Sequence, residues 1–576
     1  MNIEETIVGI DLGTTNSVIS VLDNERPMTL LVDNNKLLPS VVHFSDGKYI
    51  VGQTAKNIAI LEPENTVSSI KRKIGQDIDV KLGNKSFRPE EISSLILQKL
   101  INAFKENYSL PENLQIRAVI TVPAYFSEEQ REATKQAAEL ANIKVERIIN
   151  EPTAAALSFG LNKIENASFA IYDLGGGTFD ISVVENHGGI IEVLSTTGDT
   201  MLGGDDFDLS FADFIWDKFV QKNKIKGARN SKVDARLRKI AEENKIKLST
   251  SEVVEINETF FYRSDDDVAH LQIEVTRDEF EKLIYDKIEK TVDLIEQAVN
   301  DAKLELSNLE GIILVGGSSR IPLVSELIEK RLDIVPALIE LPDEAVSHGA
   351  TIQGAIINHL DLDTILIDIT PHSLGVKTLD VNSVSMEMAN IMQGGLDSFQ
   401  TYIMAVLIEK NTPLPVRRNK LFSPVVPFQQ GYEIQIFQGE NPKPERNKFI
   451  GEILLKVERP TEHGGIDVSF ELDINGILKV SAVALGTDDQ VKATFKSSRG
   501  MKSRTKTMQE KVITLSESTK KIIDRAENLL KEKSLNYEDK TELSNLLEKY
   551  KEAKSNDTSD SSIESELLDL LYYIEQ

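Results

Sequence analysis

The sequence predicts an α/β architecture of two related lobes, followed by an all-β domain and a charged helical end. Three observations carry this. Strand-like and helix-like patterns alternate through the first half of the chain, which is the mark of an α/β class. One turn motif occurs twice, in TIVGIDLGTT ending at Thr15 and in SFAIYDLGGGT ending at Thr178. Its aspartates, Asp11 and Asp173, stand 162 residues apart (173 − 11), a spacing unlike that of a solenoid repeat. Two lobes, each lending one strand–turn–strand to a shared cleft, account for the echo. Third, the pattern changes near residue 361, where strands and turns replace the alternation until about residue 500.

The elements follow in order. TIVGIDLGTTNSVISVLD reads as strand, glycine turn and strand, and PEEISSLILQKLINAFKENY as an amphipathic helix. IRAVITVPAY reads as a strand. SEEQREATKQAAELA reads as a helix opened by Ser127, with glutamates in its first turn. Glu151 precedes Pro152 and is expected to end a strand. In HLDLDTILIDITPHSLG, the apolar Ile365, Leu366 and Ile367 stand between Asp361, Asp363 and Asp368. GYEIQIFQGE, KFIGEILLKVE and GIDVSFELDINGILKVSAVAL are strand patterns of a sandwich, the last a hairpin with Asn475-Gly476 as its turn signal. Residues 508–554 are helical and charged, with apolar Leu529, Leu530, Leu543, Leu546 and Leu547. SNDTSDSS interrupts the pattern, and ESELLDLLYYIEQ reads as a short amphipathic helix.

Composition excludes several classes. The 576 residues contain no cysteine, which removes disulfide frameworks, thiolate metal sites and Cys nucleophiles. The net charge is −27, the wrong sign for a nucleic-acid binder. The acidity is not a tail: residues 501–576 hold 13 Lys/Arg and 16 Asp/Glu. The acidic start MNIEETIVGI does not read as a signal peptide, and no apolar run approaches a membrane span. The expectation is a cytoplasmic protein that engages neither membrane nor nucleic acid. The seven histidines show no metal-ligand spacing.

Glycine turns bearing hydroxyls cradle phosphates through backbone N–H groups. Asp11, Gly13, Thr14 and Thr15 form one candidate, and Asp173, Gly175, Gly176, Gly177 and Thr178 a second. ILVGGSSR (313–320) is a third glycine turn after an apolar strand. The aspartates suit a hydrated Mg²⁺, a hard ion that keeps most of its waters. No GxxxxGK[ST] and no dinucleotide fingerprint accompanies these turns.

At these residues the chain resembles the 70-kDa heat-shock chaperones of the DnaK type. The matching pieces include GIDLGTTNSV (9–18), SSIKRKIG (68–75), ITVPAYFSEEQREATKQAAELA (120–141), RIINEPTAAAL (147–157), IYDLGGGTFDIS (171–182), GDTMLGGDDFD (198–208), ILVGGSSRIP (313–322), PDEAVSHGA (342–350), DTILIDITPHSLGV (363–376), EKNTPLP (409–415) and DINGILKVSA (473–482). The resemblance spans the chain to about residue 500. It implies an actin-like ATPase domain of two duplicated ribonuclease-H-like lobes over 1–361 and a linker over 362–369. A β-sandwich substrate domain over 370–505 and a short helical lid with tail over 506–576 complete the chain. It implies ATP/ADP, Mg²⁺ and K⁺ as cofactors. Asp11 and Asp173 would hold the metal through water. Thr14, Thr15, Gly13, Asn16, Gly175, Gly176 and Gly177 would line the phosphates, with Gly203 and Gly204 nearby. Lys71, helped by Arg72, would offset charge at the γ-phosphate. Glu151 would orient the attacking water, Thr178 would help place the γ-phosphate, and Asp180 would support the water and ion network. Glu242, Lys245 and Ser249 would hold the adenosine with Gly316, Gly317, Ser318 and Arg320, and Asp343 would cap the ribose side. Ile246 beside them is the bacterial type of residue.

For the second half, the resemblance implies that Ile365, Leu366 and Ile367 add to the ATPase sheet edge when ATP is bound. Pro123 and Arg131 would relay nucleotide state to the linker. Arg147 and Asn150 would receive a J-domain co-chaperone, with Asp368 nearby. Leu374, Val376, Thr378, Phe422, Val425 and Gln429 would line a groove for unfolded or extended polypeptide. Tyr432 falls where a small aliphatic residue usually floors the central pocket. The extra sequence between Leu379 and Ile403, and a lid of under 80 residues, also depart from the pattern. They suggest a specialised, largely monomeric chaperone working with a J-domain partner and an exchange factor. A nucleotide-binding regulator or exchange factor of another chaperone, with little turnover, is the second reading. A small-molecule kinase of the same superfamily is the third, and the sandwich argues against it.

Overall fold

The computed structural model describes residues 5–24, 26–45, 47–159, 166–187, 190–225, 227–263, 268–358, 365–380, 402–462, 464–486, 489–494, 515–531, 537–555 and 561–575. The extra sequence at 381–401 and the junction at 505–506 therefore lie outside the described residues.

Two sheets of one topology form the first half. In the first, Ile7–Asp11 runs parallel to Ile116–Val122 on one side and antiparallel to Asn16–Asp23 on the other. In the second, Ala167–Leu174 runs parallel to Leu309–Val315 and antiparallel to Phe179–His187. The repeated Asp-Leu-Gly thus closes the same central strand twice. These strands are apolar on both faces because helices cover both. Pro89–Asn107 shows how: Ile92, Leu95, Ile96, Ile101 and Phe104 recur at helical spacing and are buried against the first sheet. Pro89 occupies the first turn, where its missing N–H costs nothing. The second lobe is filled by aromatic side chains, among them Phe207, Phe211, Phe219 and Phe280.

Glu151 differs from its expected place. The strand Ile143–Asn150 stops one residue earlier, and Glu151 opens the helix Glu151–Phe159. Pro152 is the cause, since a proline suits a helix's first turn and cannot continue a sheet ladder.

The all-β part is two four-stranded sheets, one containing Leu374–Leu379 and Gly431–Gln438, the other Ile466–Leu472 and Leu478–Ala484. The turn at Asn475-Gly476 is longer than a two-residue hairpin, because Leu472 pairs with Leu478. Asp473 makes the longer loop, its Oδ1 accepting from the Asn475 and Ile477 N–H groups at 2.9 and 3.0 Å. Gly476 supplies the positive φ of +74°.

Ile365–Ile367 lies parallel to Ile190–Glu192, adding an edge strand to the second lobe's sheet. Asp368 follows, its Oδ1 accepting from Asn150 Nδ2 at 2.6 Å. The sandwich meets the lobes directly: Asn475 Oδ1 accepts from Ile148 N at 2.9 Å, and Lys410 Nζ reaches Asp301 at 2.8 Å. The helices Leu515–Lys531, Tyr537–Ser555 and Ser561–Glu575 pack together and onto Ile60 and Leu61 of the first lobe.

At the lobe–sandwich contact Glu128 is buried, facing Asp473 and the Leu478 N–H. Burial pushes its carboxyl up to about 8, against the pull of Arg131. The native state then holds a proton that the unfolded chain releases near its ordinary 4.5. Stability therefore falls as pH rises through that window, by roughly 1.4 kcal/mol per pH unit at most. Glu128→Gln should flatten this loss, measured as the denaturant midpoint at about pH 6 and about pH 8.5. Equal slopes in variant and wild type would remove Glu128 from the account.

Candidate active site

The two Asp-Leu-Gly turns meet head to head. A Cβ on Gly176 would lie 1.8 Å from Thr15 Oγ1, and one on Gly177 would lie 2.4 Å from Thr14 Cγ2. A Cβ on Gly203 would lie 2.7 Å from the Gly176 carbonyl carbon. Only glycine allows such an approach, which brings the backbones of the two turns together. Gly13 is tight within its own turn, its Cβ position 1.9 Å from Asn16 O, and Asn16 begins the returning strand. Gly175 N donates to Thr178 O at 3.1 Å, closing the second turn.

Behind the turns lies a cluster of charge. Asp11, Asp173, Asp180 and Glu151 surround one ammonium, Lys71, which donates to Glu151 Oε1 at 2.5 Å and is 4% exposed. Burial first, and then Glu151, hold Asp11 up to about 7. The same causes hold Asp180 up to about 7. Asp173 is raised by burial, then by Glu151, Asp180 and Asp11. Burial would lower Lys71, but Glu151 and Asp11 outweigh it and raise the ammonium. Thr121 Oγ1 donates to Asp11 Oδ1 at 3.1 Å, and Tyr125 N donates to Asp180 Oδ1 at 2.9 Å. Four carboxylates against one buried cation call for further positive charge. Among the described residues no three acids or histidines stand close enough to ligate an ion directly. The donor set thus fits a hydrated divalent cation held by Asp11 and Asp173 through water.

The remaining predicted residues make contacts with the turns, with one another or with neighbouring elements. Arg72 Nε donates to Gly177 O at 3.0 Å, and its guanidinium pairs with Asp206. Lys245 Nζ bonds Asp208 at 2.8 Å and Gly204 O at 3.2 Å. Ser249 Oγ donates to Lys245 O, Ser318 Oγ to Gly175 O at 2.9 Å, and Arg320 pairs with Asp343 at 2.7 Å. Gly316 turns the third loop at φ +81°, and Gly317 faces Asp343. Glu242 is bridged across the cleft by Lys56 at 2.7 Å. Sequence reasoning missed Lys56, Ser69, Thr121, Asp205 and Asp206. Asp205 accepts from Ser69 at 2.5 Å and from Thr15 at 3.4 Å. The acidic pair in LGGDD, directly after two glycines, was the available signal.

The coupling residues gather at one place. Arg131 Nη2 donates to Asn150 Oδ1 at 2.5 Å, and Arg147 is buried beside Asp368. Pro123 opens the turn whose carbonyl accepts from Phe126 N. In the sandwich, Leu374, Val376 and Tyr432 belong to the interior cluster, and the Tyr432 hydroxyl donates to Gly464 O at 2.9 Å. Thr378, Phe422 and Gln429 are half-buried. Val425 is 65% exposed, with Val426 and Phe428 exposed beside it. Gln429 steadies that loop, accepting from Val425 N at 2.8 Å.

Two lobes whose glycine turns meet over a buried acidic cluster, followed by a β-sandwich, define the class of architecture to which the chain belongs. The family model described as Hsp70 protein matches residues 7–81 and 76–573, and the chain belongs to that family. Its members are ATP-dependent chaperones that hydrolyse ATP, bind ATP/ADP with Mg²⁺ and engage unfolded clients and co-chaperones.

Gly176→Ala should wedge the two turns apart. The expected result is nucleotide affinity about 100-fold weaker by calorimetry, with circular dichroism unchanged, since ångström-scale misplacement costs that order. Unchanged affinity would mean that the turns do not grip the phosphates.

Proposed function

We propose that this chain is an ATP-hydrolysing chaperone in which nucleotide state, relayed through the linker, sets the sandwich's affinity for extended polypeptide. One observation carries the reading: neighbouring residues face the two ends of the relay. Glu151 bonds Lys71 in the acidic cluster, while Asn150 bonds Asp368 of the linker and Arg131. A shift of this short stretch moves both contacts together.

In this reading the chain's own residues divide the work of phosphoryl transfer, which demands positioning and charge neutralisation more than covalent chemistry. Mg²⁺, when bound, neutralises phosphate charge. Lys71 and Arg72 add fixed positive charge at the phosphates. Glu151 orients the attacking water, and the Thr178 hydroxyl aligns the γ-phosphate. Thr14, Thr15 and the glycine turns hold the other oxygens. The carboxylate excess around Asp180 suits K⁺ as an additional ion. Glu242, Lys245, Ser249, Ser318 and Arg320 hold adenosine, with Asp343 at the ribose side. Arg147, Asn150 and Asp368 serve as the J-domain's contact region, and an exchange factor renews the nucleotide. The chain works as a cytoplasmic monomer; among the described residues no helix is long and apolar enough to cross a membrane.

Tyr432 narrows the clients. Its ring fills sandwich interior and its hydroxyl is anchored to Gly464 O. A pocket so filled accepts small side chains at the centre and leaves Val425, Val426 and Phe428 to contact the rest of the peptide.

Glu151→Ala should cut single-turnover hydrolysis by about 100-fold or more while ATP affinity changes little, the pattern of lost general-base help. Unchanged turnover would overturn the assigned mechanism. On peptide arrays, Tyr432→Val should gain binding to segments centred on leucine or isoleucine. An identical array pattern would remove Tyr432 from specificity.

A further inference from the structure

The strand Val416–Phe422 is an end strand of its four-stranded sheet, and among the described strands it pairs with Ile466–Leu472. Successive residues of a strand point to opposite sides, so the register sorts its side chains onto two faces. Arg418 and Lys420 stand opposite Phe470 and Val468, which are buried in the sandwich interior, and share that face with Phe422. Arg417 and Leu421 lie on the other face, opposite Glu471 and Asp467. The two faces differ in charge balance. On the outer face both acids are engaged: Asn419 Nδ2 donates to both Asp467 oxygens at 3.0 and 2.9 Å, and Glu471 pairs with Lys479 at 3.5 Å. On the face shared with Phe422 the cations have apolar neighbours across the ladder. Arg418 and Lys420 are exposed, and among the described residues neither forms an ion pair with a carboxylate. Arg418 Nη1 donates to the Arg417 carbonyl at 3.0 Å. Along the strand Lys420 stands about 7 Å and Arg418 about 14 Å from Phe422, at the usual rise per residue. Phe422 ends the row, and the loop after it exposes Val425, Val426 and Phe428.

We infer that this row selects clients by charge, favouring an extended segment whose apolar centre meets Phe422 and the loop after it and whose flank carries Asp or Glu. The inference rests on the peptide-binding reading of the proposed function and adds the class of flanking residue. The chain carries a net −27, so an acidic segment meets a repulsive field over much of the surface. Two cations with no carboxylate partner are a local exception to that field. They occupy alternate positions of a strand, and an extended segment presents its own alternate residues on one side with the same repeat. Carboxylates two and four residues from an apolar centre therefore match the spacing of Lys420 and Arg418 from Phe422. Both cations are exposed, so they act as selectivity elements more than as a large source of affinity. Charged side chains on an end strand also discourage pairing with strands of other molecules. That role alone gives no preference among peptide charges, and measurement separates the two.

The test is fluorescence anisotropy of labelled peptides with the full-length chain in ADP. The peptides share one core of small apolar residues and carry a pair of Glu, Ser or Lys two and four residues from it, placed before the core in one set and after it in another. In the better-binding placement the Glu peptide should bind about 3- to 10-fold more tightly than the Ser peptide, the range of two exposed ion pairs, and the Lys peptide more weakly than either. About 1 M salt, which screens charges beyond about 3 Å, should erase the difference. The double variant Arg418→Gln, Lys420→Gln should bind Glu and Ser peptides equally, and Arg418→Glu, Lys420→Glu should favour the Lys peptide. Arg417→Gln, on the opposite face, should keep the wild-type order. If the order of the three peptides is the same in wild type and in both double variants, or if wild type prefers the Lys peptide, the inference is wrong. Aggregation of the double variants with an unchanged peptide order would leave the pair as an edge guard only and would equally overturn it. Failure of the wild-type chain to bind any of the peptides would instead sink the peptide-binding reading beneath it.

Discussion

Four carboxylates and one ammonium share a buried space between two lobes, and this imbalance governs the rest of the molecule. Burial and mutual repulsion raise Asp11, Asp173 and Asp180 above the ordinary carboxylate range. The overall charge of −27 gives the surface field the same sign. Lys71 stands within the cluster and Arg72 beside it, donating to Gly177 O. The ATP and ADP that members of this family bind carry charge of that same sign.

The glycines translate that electrostatic demand into shape. Gly176 and Gly177 allow the turns of two lobes to approach until any side chain would collide with Thr15 or Thr14. The contact between the two turns is thus one that the two lobes make jointly. Lys56 and Glu242 also join the two lobes, at 2.7 Å.

Much of this was legible in the chain's letters, for identifiable reasons. The doubled Asp-Leu-Gly announced two lobes, because a glycine turn after an apolar strand is a local signal and its repetition is not. Lys71, Glu151 and the aspartates were found through motif context and stand within one cluster. The sandwich showed through alternation of apolar and polar residues. What escaped was mostly long-range. Nothing near Lys56 marks Glu242 as its partner 186 residues away, and nothing near Asn57 marks Glu564, 507 residues away. Asp473 lengthened a turn that the Asn475-Gly476 pair alone described as tight, because a side chain two residues upstream took over the backbone bonds. Pro152 moved Glu151 from strand end to helix start, a shift of one residue.

The added strand Ile365–Ile367 has a consequence for how the protein behaves in a crowded solution. A sheet edge with unpaired N–H and C=O groups recruits strands from other molecules, and Ile190–Glu192 is such an edge whenever its cover departs. A protein that handles extended polypeptides meets many candidate strands. While its own segment occupies that edge, this chain offers them no template there, so the segment doubles as a guard against self-association and misdirected pairing.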